Sequence, residues 1–169
     1  MRNLLSNLCL GALLAGLAPS PAHARIPGFQ TSFSTGVDYA GSEAGRGNAY
    51  FLHGQLGTYP GFLRLHGAFT LLYGSGYQAG EGALGLAIYP ISSFVSERAS
   101  IHPFLVGQGV VSAGRANSQN AFSAGYSYGA GVDLNWSKRA GLTVSAQQFS
   151  LGEKSMRYSL GIYWFRGAE

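Results

Sequence analysis

Charge is what this chain has least of. Eleven Lys and Arg and seven Asp and Glu make up 11% of its 169 residues, against about a quarter in an ordinary soluble domain. So few charges cannot coat a water-facing surface in the usual way. The basic residues are also scattered, which excludes the clustered cations of a nucleic-acid binder. Cysteine is almost missing. The one thiol, Cys9, lies inside an N-terminal apolar run, so no disulfide framework can hold the fold. It follows Asn7-Leu8 and precedes more apolar sequence, which is not where a lipidation signal places its cysteine. Long apolar runs are missing too: beyond residue 25 none approaches the roughly 20 residues of a membrane helix, and helical periodicity is weak throughout.

The N-terminus reads as an address rather than as structure. Arg2 gives a short basic start, Leu4 to Leu17 an apolar stretch, and Pro19-Ser20-Pro21 a break. Ala22-His23-Ala24 then supplies the small-x-small pattern of a cleavage site. Residues 1–24 are therefore expected to be a cleaved signal peptide and residues 25–169 a single domain. The mature chain keeps ten basic and seven acidic residues, a net charge of +3, and has no cysteine. That suits an oxidising compartment in which no disulfide is needed.

What the chain has in abundance is glycine, 26 residues, with ten Tyr and ten Phe. It also has alternation of period two, recurring in segments of about ten residues, the signature of a membrane barrel. The first segment sets Phe29, Thr31, Phe33, Thr35, Val37 and Tyr39 against Gln30, Ser32, Ser34, Gly36 and Asp38. The second alternates Tyr50, Leu52, Gly54 and Leu56 with Phe51, His53 and Gln55. The third sets Leu63, Leu65, Phe69, Leu71 and Tyr73 against Arg64, His66, Ala68 and Thr70, and the fourth sets Leu84, Leu86 and Ile88 against Ala83, Gly85 and Ala87. Segment five, Ile101 to Ala113, is apolar on both faces, and its pattern assigns no register. In the sixth, Phe122, Ala124, Tyr126, Tyr128, Ala130, Val132, Leu134 and Trp136 oppose a face of Ser, Gly, Asp133 and Asn135. The seventh sets Leu142, Val144 and Ala146 against Thr143, Ser145 and Gln147, and the eighth sets Tyr158, Leu160, Ile162 and Trp164 against Arg157, Ser159 and Gly161. Eight is an even number, so every connection can be antiparallel. With a periplasmic N-terminus, the outer loops fall at about 40–48, 74–81, 114–121 and 151–156, and the periplasmic turns at about 58–61, 90–100 and 137–140.

Alternation alone does not say which face is inside. A soluble eight-stranded barrel buries its apolar face, and a membrane barrel exposes it. Three features choose the second. One face of segments one and six is Ser, Gly, Gln, Asp and Asn, small enough to fill an eight-stranded interior. The strands carry almost no charge apart from Asp38, Arg64, Asp133 and Arg157. Aromatics recur at strand ends, among them Phe29, Tyr39, Tyr50, Tyr73, Tyr89, Trp136 and Trp164, where Tyr and Trp meet membrane interfaces.

The stretches Ile101-His102-Pro103-Phe104-Leu105-Val106-Gly107-Gln108-Gly109, Tyr128-Gly129-Ala130-Gly131-Val132-Asp133-Leu134 and Tyr158-Ser159-Leu160-Gly161-Ile162-Tyr163-Trp164-Phe165 carry a resemblance. With the signal peptide, the pattern resembles small outer-membrane β-barrel proteins of the OmpA/OmpX-like superfamily. One departure is that Arg166 to Glu169 follow Phe165, where members of that group end on an aromatic. The resemblance implies an all-β, eight-stranded, antiparallel up-and-down transmembrane barrel in the outer membrane of a Gram-negative bacterium. It further implies outer-membrane lipid, lipopolysaccharide and the barrel-insertion machinery as partners, and no nucleic acid. A monomer is expected.

No catalytic, metal or cofactor site is legible. His53, His66 and His102 have no carboxylate partner at metal-ligand spacing. The lipid A deacylase pattern His-x-Ser-Asn is missing, and Gly125-Tyr126-Ser127-Tyr128 makes no nucleophile elbow. The chain is read as a non-enzyme without cofactors. The polar faces point instead to a lumen network of Asp38, His53, Arg64, His66, Asp133, Gln147 and Arg157, because charges inside a barrel need partners. Three roles follow: a structural or surface-interaction protein with a plugged polar lumen, a narrow channel or small-ligand transporter, or a membrane-embedded lipid-modifying enzyme.

Overall fold

A computed structural model describes residues 28–40, 48–59, 62–90, 94–95, 100–116, 119–137 and 140–166. The expected signal peptide, residues 1–24, and most of the 40–48 connection lie outside the described residues. The strands are β1 (Gly28–Ala40), β2 (Ala49–Tyr59), β3 (Leu63–Gly74), β4 (Tyr77–Ile88), β5 (Phe94–Val95), β6 (Ser100–Ala116), β7 (Gln119–Asn135), β8 (Ala140–Leu151) and β9 (Glu153–Arg166). β5 has two residues and, among the described residues, pairs with the start of β6, Phe94 opposite Ile101 and Val95 opposite Ser100. The other eight make the wall. Each pairs antiparallel with its sequence neighbour, β4 pairs with β6, and β1 pairs with β9, so the sheet closes on itself. No described residue is helical, and no helix among them is long and apolar enough to cross a membrane, which has no bearing on crossing by strands.

Period-two alternation becomes two faces of opposite chemistry. Leu65, Leu86, Tyr128 and Ile162 point out and are exposed, as are Leu52, Phe69, Leu84 and Leu160. Gln30, Ser32, Asp38, Arg64, His66, Ser127, Asp133 and Arg157 point in and are buried. β6 takes the register its sequence leaves open. Phe104, Val106, Gln108, Val110 and Ser112 are buried, while Ile101, Leu105 and Val111 are exposed. Its inward face is apolar in part, which is why alternation is faint there.

The connections opposite Gly28 are tighter than composition suggests. β3 and β4 are joined by Ser75-Gly76 alone, not by a loop over 74–81, and β8 and β9 by Gly152, not by a loop over 151–156. Likewise β6 runs to Ala116 and β7 starts at Gln119, inside the expected 114–121 loop. Polar residues such as Gln78, Arg115, Asn120 and Lys154 read as loop, yet ladder hydrogen bonding continues through them. Gly152 has φ +83°, a left-handed conformation that glycine adopts without a Cβ penalty. At the Gly28 end, Ser137 closes the β7–β8 turn: its hydroxyl accepts from the Ala140 N–H at 3.0 Å.

Candidate functional site

The site is the barrel interior, because inward positions hold nearly all the chemistry of the strands. Near the Gly152 end, β9 brings Arg157 directly opposite Asp38 of β1. The Arg157 Nε–H donates to Asp38 Oδ2 at 2.9 Å. Its Nη2 donates to Glu81 Oε1 at 2.7 Å, and its Nη1 to Glu81 Oε2, so the fork engages Glu81 with both arms. All three are removed from solvent, Asp38 at 0%, Glu81 at 2% and Arg157 at 4% exposure. The guanidinium carbon lies 3.7 Å from the centroid of the Phe149 ring, with Phe51 at 5.9 Å on another side. Phe51 belongs to an apolar cluster with Ala49, Leu72 and Ala79. Glu81 falls at the end of the expected 74–81 loop and is also an expected acid partner for Arg64 or Arg157; it sits in β4 and faces inward because β4 begins at Tyr77.

A second charged layer lies toward the Gly28 end. Arg64 Nη1 donates to Gln30 Oε1 at 2.5 Å and stands 3.7 Å from Asp133 Oδ2. Tyr89 donates its hydroxyl to Asp133 Oδ2 at 2.9 Å. This places Tyr89 against the lumen rather than at the membrane interface where its position at a strand end suggested. It follows the last residue of β4, and its backbone N–H bonds Phe62 O at 2.9 Å, which turns the ring inward. Burial pushes the Tyr89 phenol well above its ordinary value, so the group stays a donor. Tyr89 and Phe104 flank the Arg64 guanidinium at 5.4 and 5.7 Å. Deeper toward this end, Tyr163 donates to Asn135, whose Nδ2 is 3.0 Å from His102 Nε2.

Neutral polar groups fill the space between. His53 Nδ1 is 2.8 Å from Thr70 Oγ1. His66 Nε2 is 3.0 Å from Gln108 Oε1, Gln108 Nε2 donates to Gln147 Oε1 at 3.3 Å, and Ser127 Oγ donates to the same oxygen at 3.4 Å. That chain links β3 to β8 across the lumen. Ser145 and Ser159 hydroxyls meet at 2.7 Å. A cavity of about 40 Å³ remains, bordered by His53, His66, Gln108, Gln147 and both arginines among others; it has room for a few waters. His66 Nδ1, Arg64 Nε and Asp133 Oδ1 are buried without a protein hydrogen-bond partner.

The seven residues of the expected network thus all face the interior, but they form two charged layers with a neutral zone between, not one web. Sequence reasoning missed the aromatic lining of the guanidinium groups by Phe51, Phe104 and Phe149, for which inward spacing at strand positions was the available signal. Among the described residues no group of three or more His, Cys, Asp or Glu could hold a metal ion.

No protein-family model matches the sequence, and no curated protein matches it. Solved structures do match in shape. The N-terminal β-barrel domain of Pseudomonas aeruginosa OprF superposes with TM-score 0.63 at 12% identity, covering 82% of this chain and 99% of that one. Neisserial surface protein A (NspA) gives 0.58 at 12% identity over 81% and 96%. Ail, the attachment invasion locus protein of Yersinia pestis, gives 0.51 at 12% identity over 84% and 99%. At that identity the likeness is one of fold. The chain has the fold of the small eight-stranded outer-membrane barrels.

Proposed function

We propose that this chain, a small barrel of the outer-membrane type, is exported with loss of residues 1–24 and resides in the bacterial outer membrane as a monomer. Its role is structural or one of surface interaction, it is not an enzyme, and its lumen is plugged. The observation that carries this reading is the inversion of faces: Leu, Phe and Tyr exposed around the wall, with Asp38, Glu81, Arg64, Asp133 and Arg157 buried within it. Such a molecule is stable only where its outside meets hydrocarbon. Surface contact agrees with the names of two structural neighbours, a Neisserial surface protein and an attachment invasion locus protein.

Closure of the lumen is supported by its two ion-paired layers and by an eight-stranded interior that side chains just fill. The competing reading is a narrow channel, which the polar cavity between the layers favours. Protein purified from the membrane should show heat-modifiable gel mobility, the mark of a folded barrel, and should give no steady current in planar bilayers. Stable, ion-selective single-channel currents would establish the channel reading in its place. Lipid A or phospholipid cleavage products on incubation with the purified protein would establish the enzyme reading.

A further inference from the structure

At the Gly152 end of the wall, most neighbouring hairpins are paired to their tips. Ala49 meets Gly74 where β2 lies beside β3, Tyr77 meets Ala116 where β4 lies beside β6, and Ala40 meets Ser155 where β1 lies beside β9. The junction of β7 with β8 differs. That ladder stops at Tyr126 opposite Ser150, because β8 ends at Leu151 and Gly152 turns the chain away into β9. β7 itself begins at Gln119. Its residues 119–125 pair with β6 on one side, from Gln119 opposite Ala116 to Gly125 opposite Val110. On the other side they have no ladder partner among the described residues.

A strand edge of this length is normally guarded by charges, a proline or a bulge. Residues 119–125 read Gln-Asn-Ala-Phe-Ser-Ala-Gly, with neither charge nor proline. Phe122 points outward and is 76% exposed, since its neighbour on β6 is the small Ala113 and no β8 residue reaches its other side. Tyr126 and Tyr128, whose rings stack at 6.4 Å, give this strand the aromatic pair of a membrane interface. Phe122 lies beyond Tyr126 toward the rim, about 13 Å further along the strand, and so stands in water above the hydrocarbon.

A row of unpaired N–H and C=O groups on an extended strand is answered best by another extended strand. The direction and twist of such a strand are preset, because it continues the line of β8 and runs antiparallel to β7. A second barrel in the same membrane is the wrong occupant. Its β7 runs inward as this one does, so it can add only in parallel, the less stable pairing. A lipid headgroup is also the wrong occupant, because the edge has no cation to answer a phosphate.

We infer that residues 119–125 of β7 form a docking edge for an extended, uncharged peptide segment of a protein outside the cell. The segment adds antiparallel in the line of β8, with an apolar side chain against Phe122 and small or hydroxyl side chains beside Ala121 and Ser123. The inference rests on the proposed outer-membrane placement, with the Gly152 end outward, and it gives the surface-interaction role its partner class.

Amide hydrogen exchange of the mature protein in lipid nanodiscs, resolved by NMR, tests it. The probe is a peptide of about seven alternating threonines and valines, with a short polyethylene glycol tail for solubility. Its control is the same peptide with two threonines replaced by proline, which cannot donate to a ladder. Heat-modifiable mobility is checked first for every variant. In the free protein, the 119–125 amides that face away from β6 should exchange openly. With the probe at about ten times its dissociation constant they should slow about tenfold, and the proline peptide should leave them unchanged. Phe122→Lys should raise the dissociation constant about fivefold, the scale of one cross-strand apolar pair. Phe122→Tyr, which keeps the ring, should stay within about twofold of the wild type. Gln78→Lys, the same charge beside the fully paired β4, should also stay within about twofold. A folded barrel whose edge amides never slow overturns the site, as does equal slowing by the proline peptide or an equal loss from Phe122→Lys and Gln78→Lys. Slow exchange along this edge in the free protein means that the chain itself or a second copy covers it, and overturns the site too. A wild type with no heat-modifiable form overturns the membrane-barrel reading instead, and the site with it.

Discussion

The two interior arginines are held differently, and that difference sets what each acid contributes. Arg157 is gripped by both oxygens of Glu81, by Asp38 and by the Phe149 ring. Arg64 has a carboxamide in contact and its carboxylate at 3.7 Å. Glu81→Gln should therefore cost about 3–5 kcal/mol, the range for breaking a buried pair. Asp133→Asn should cost less, about 1–3 kcal/mol, since it weakens a longer contact and one phenol hydrogen bond. Urea unfolding of the two variants in lipid vesicles checks the order; a reversed order would contradict the assigned layers. Packing is as specific as charge. A Cβ on Gly131 would sit 2.4 Å from the Phe104 ring and 2.6 Å from Val144 O. Gly131→Val should cost about 1–3 kcal/mol by overpacking, and Phe104→Leu should restore part of that loss in the double variant, read by the same unfolding midpoints.

At the scale of the strand, the faces decide what a substitution does. Leu86 faces outward at 42% exposure, while Gln147 is hydrogen-bonded inside. Leu86→Arg should cost about 2–4 kcal/mol if it lies near the membrane midplane, falling toward an interface. Gln147→Arg, placed in a polar lumen, should cost less. Equal tolerance in a folding titration into vesicles would count against the outward assignment. β1 and β7 were legible in the sequence because each has an inward face free of large apolar side chains. β6 was not, since Phe104, Val106 and Val110 fill the lumen with the same residue types that cover the wall. Loop lengths were not legible either. Gln78, Arg115 and Lys154 lie above the apolar belt, and hydrogen bonding between strands does not depend on side-chain polarity. The partners of each arginine depend on strand tilt and lumen width, which no linear pattern encodes; so the sequence offers Asp38, Asp133 and Glu81 as acids for Arg64 and Arg157 without assigning which acid meets which.

For the whole molecule, the pairing of β1 with β9 has a kinetic meaning. Phe29 lies opposite Arg166 and Ala40 opposite Ser155, so the first and last strands of the domain are neighbours. The ring of strands cannot be finished until β9 is available to pair with β1. Until then β1 and β8 each present an unpaired edge, the kind that recruits other chains into aggregates, and joining segments this far apart makes closure slow. Arg157 sits on the joining strand and answers Asp38 and Glu81 across 119 and 76 residues of sequence. Before β9 docks, those two carboxylates must keep their water. The event that seals the ring is thus the one that dries its interior, and the arginine acts as a latch that can be thrown only once β9 is in place.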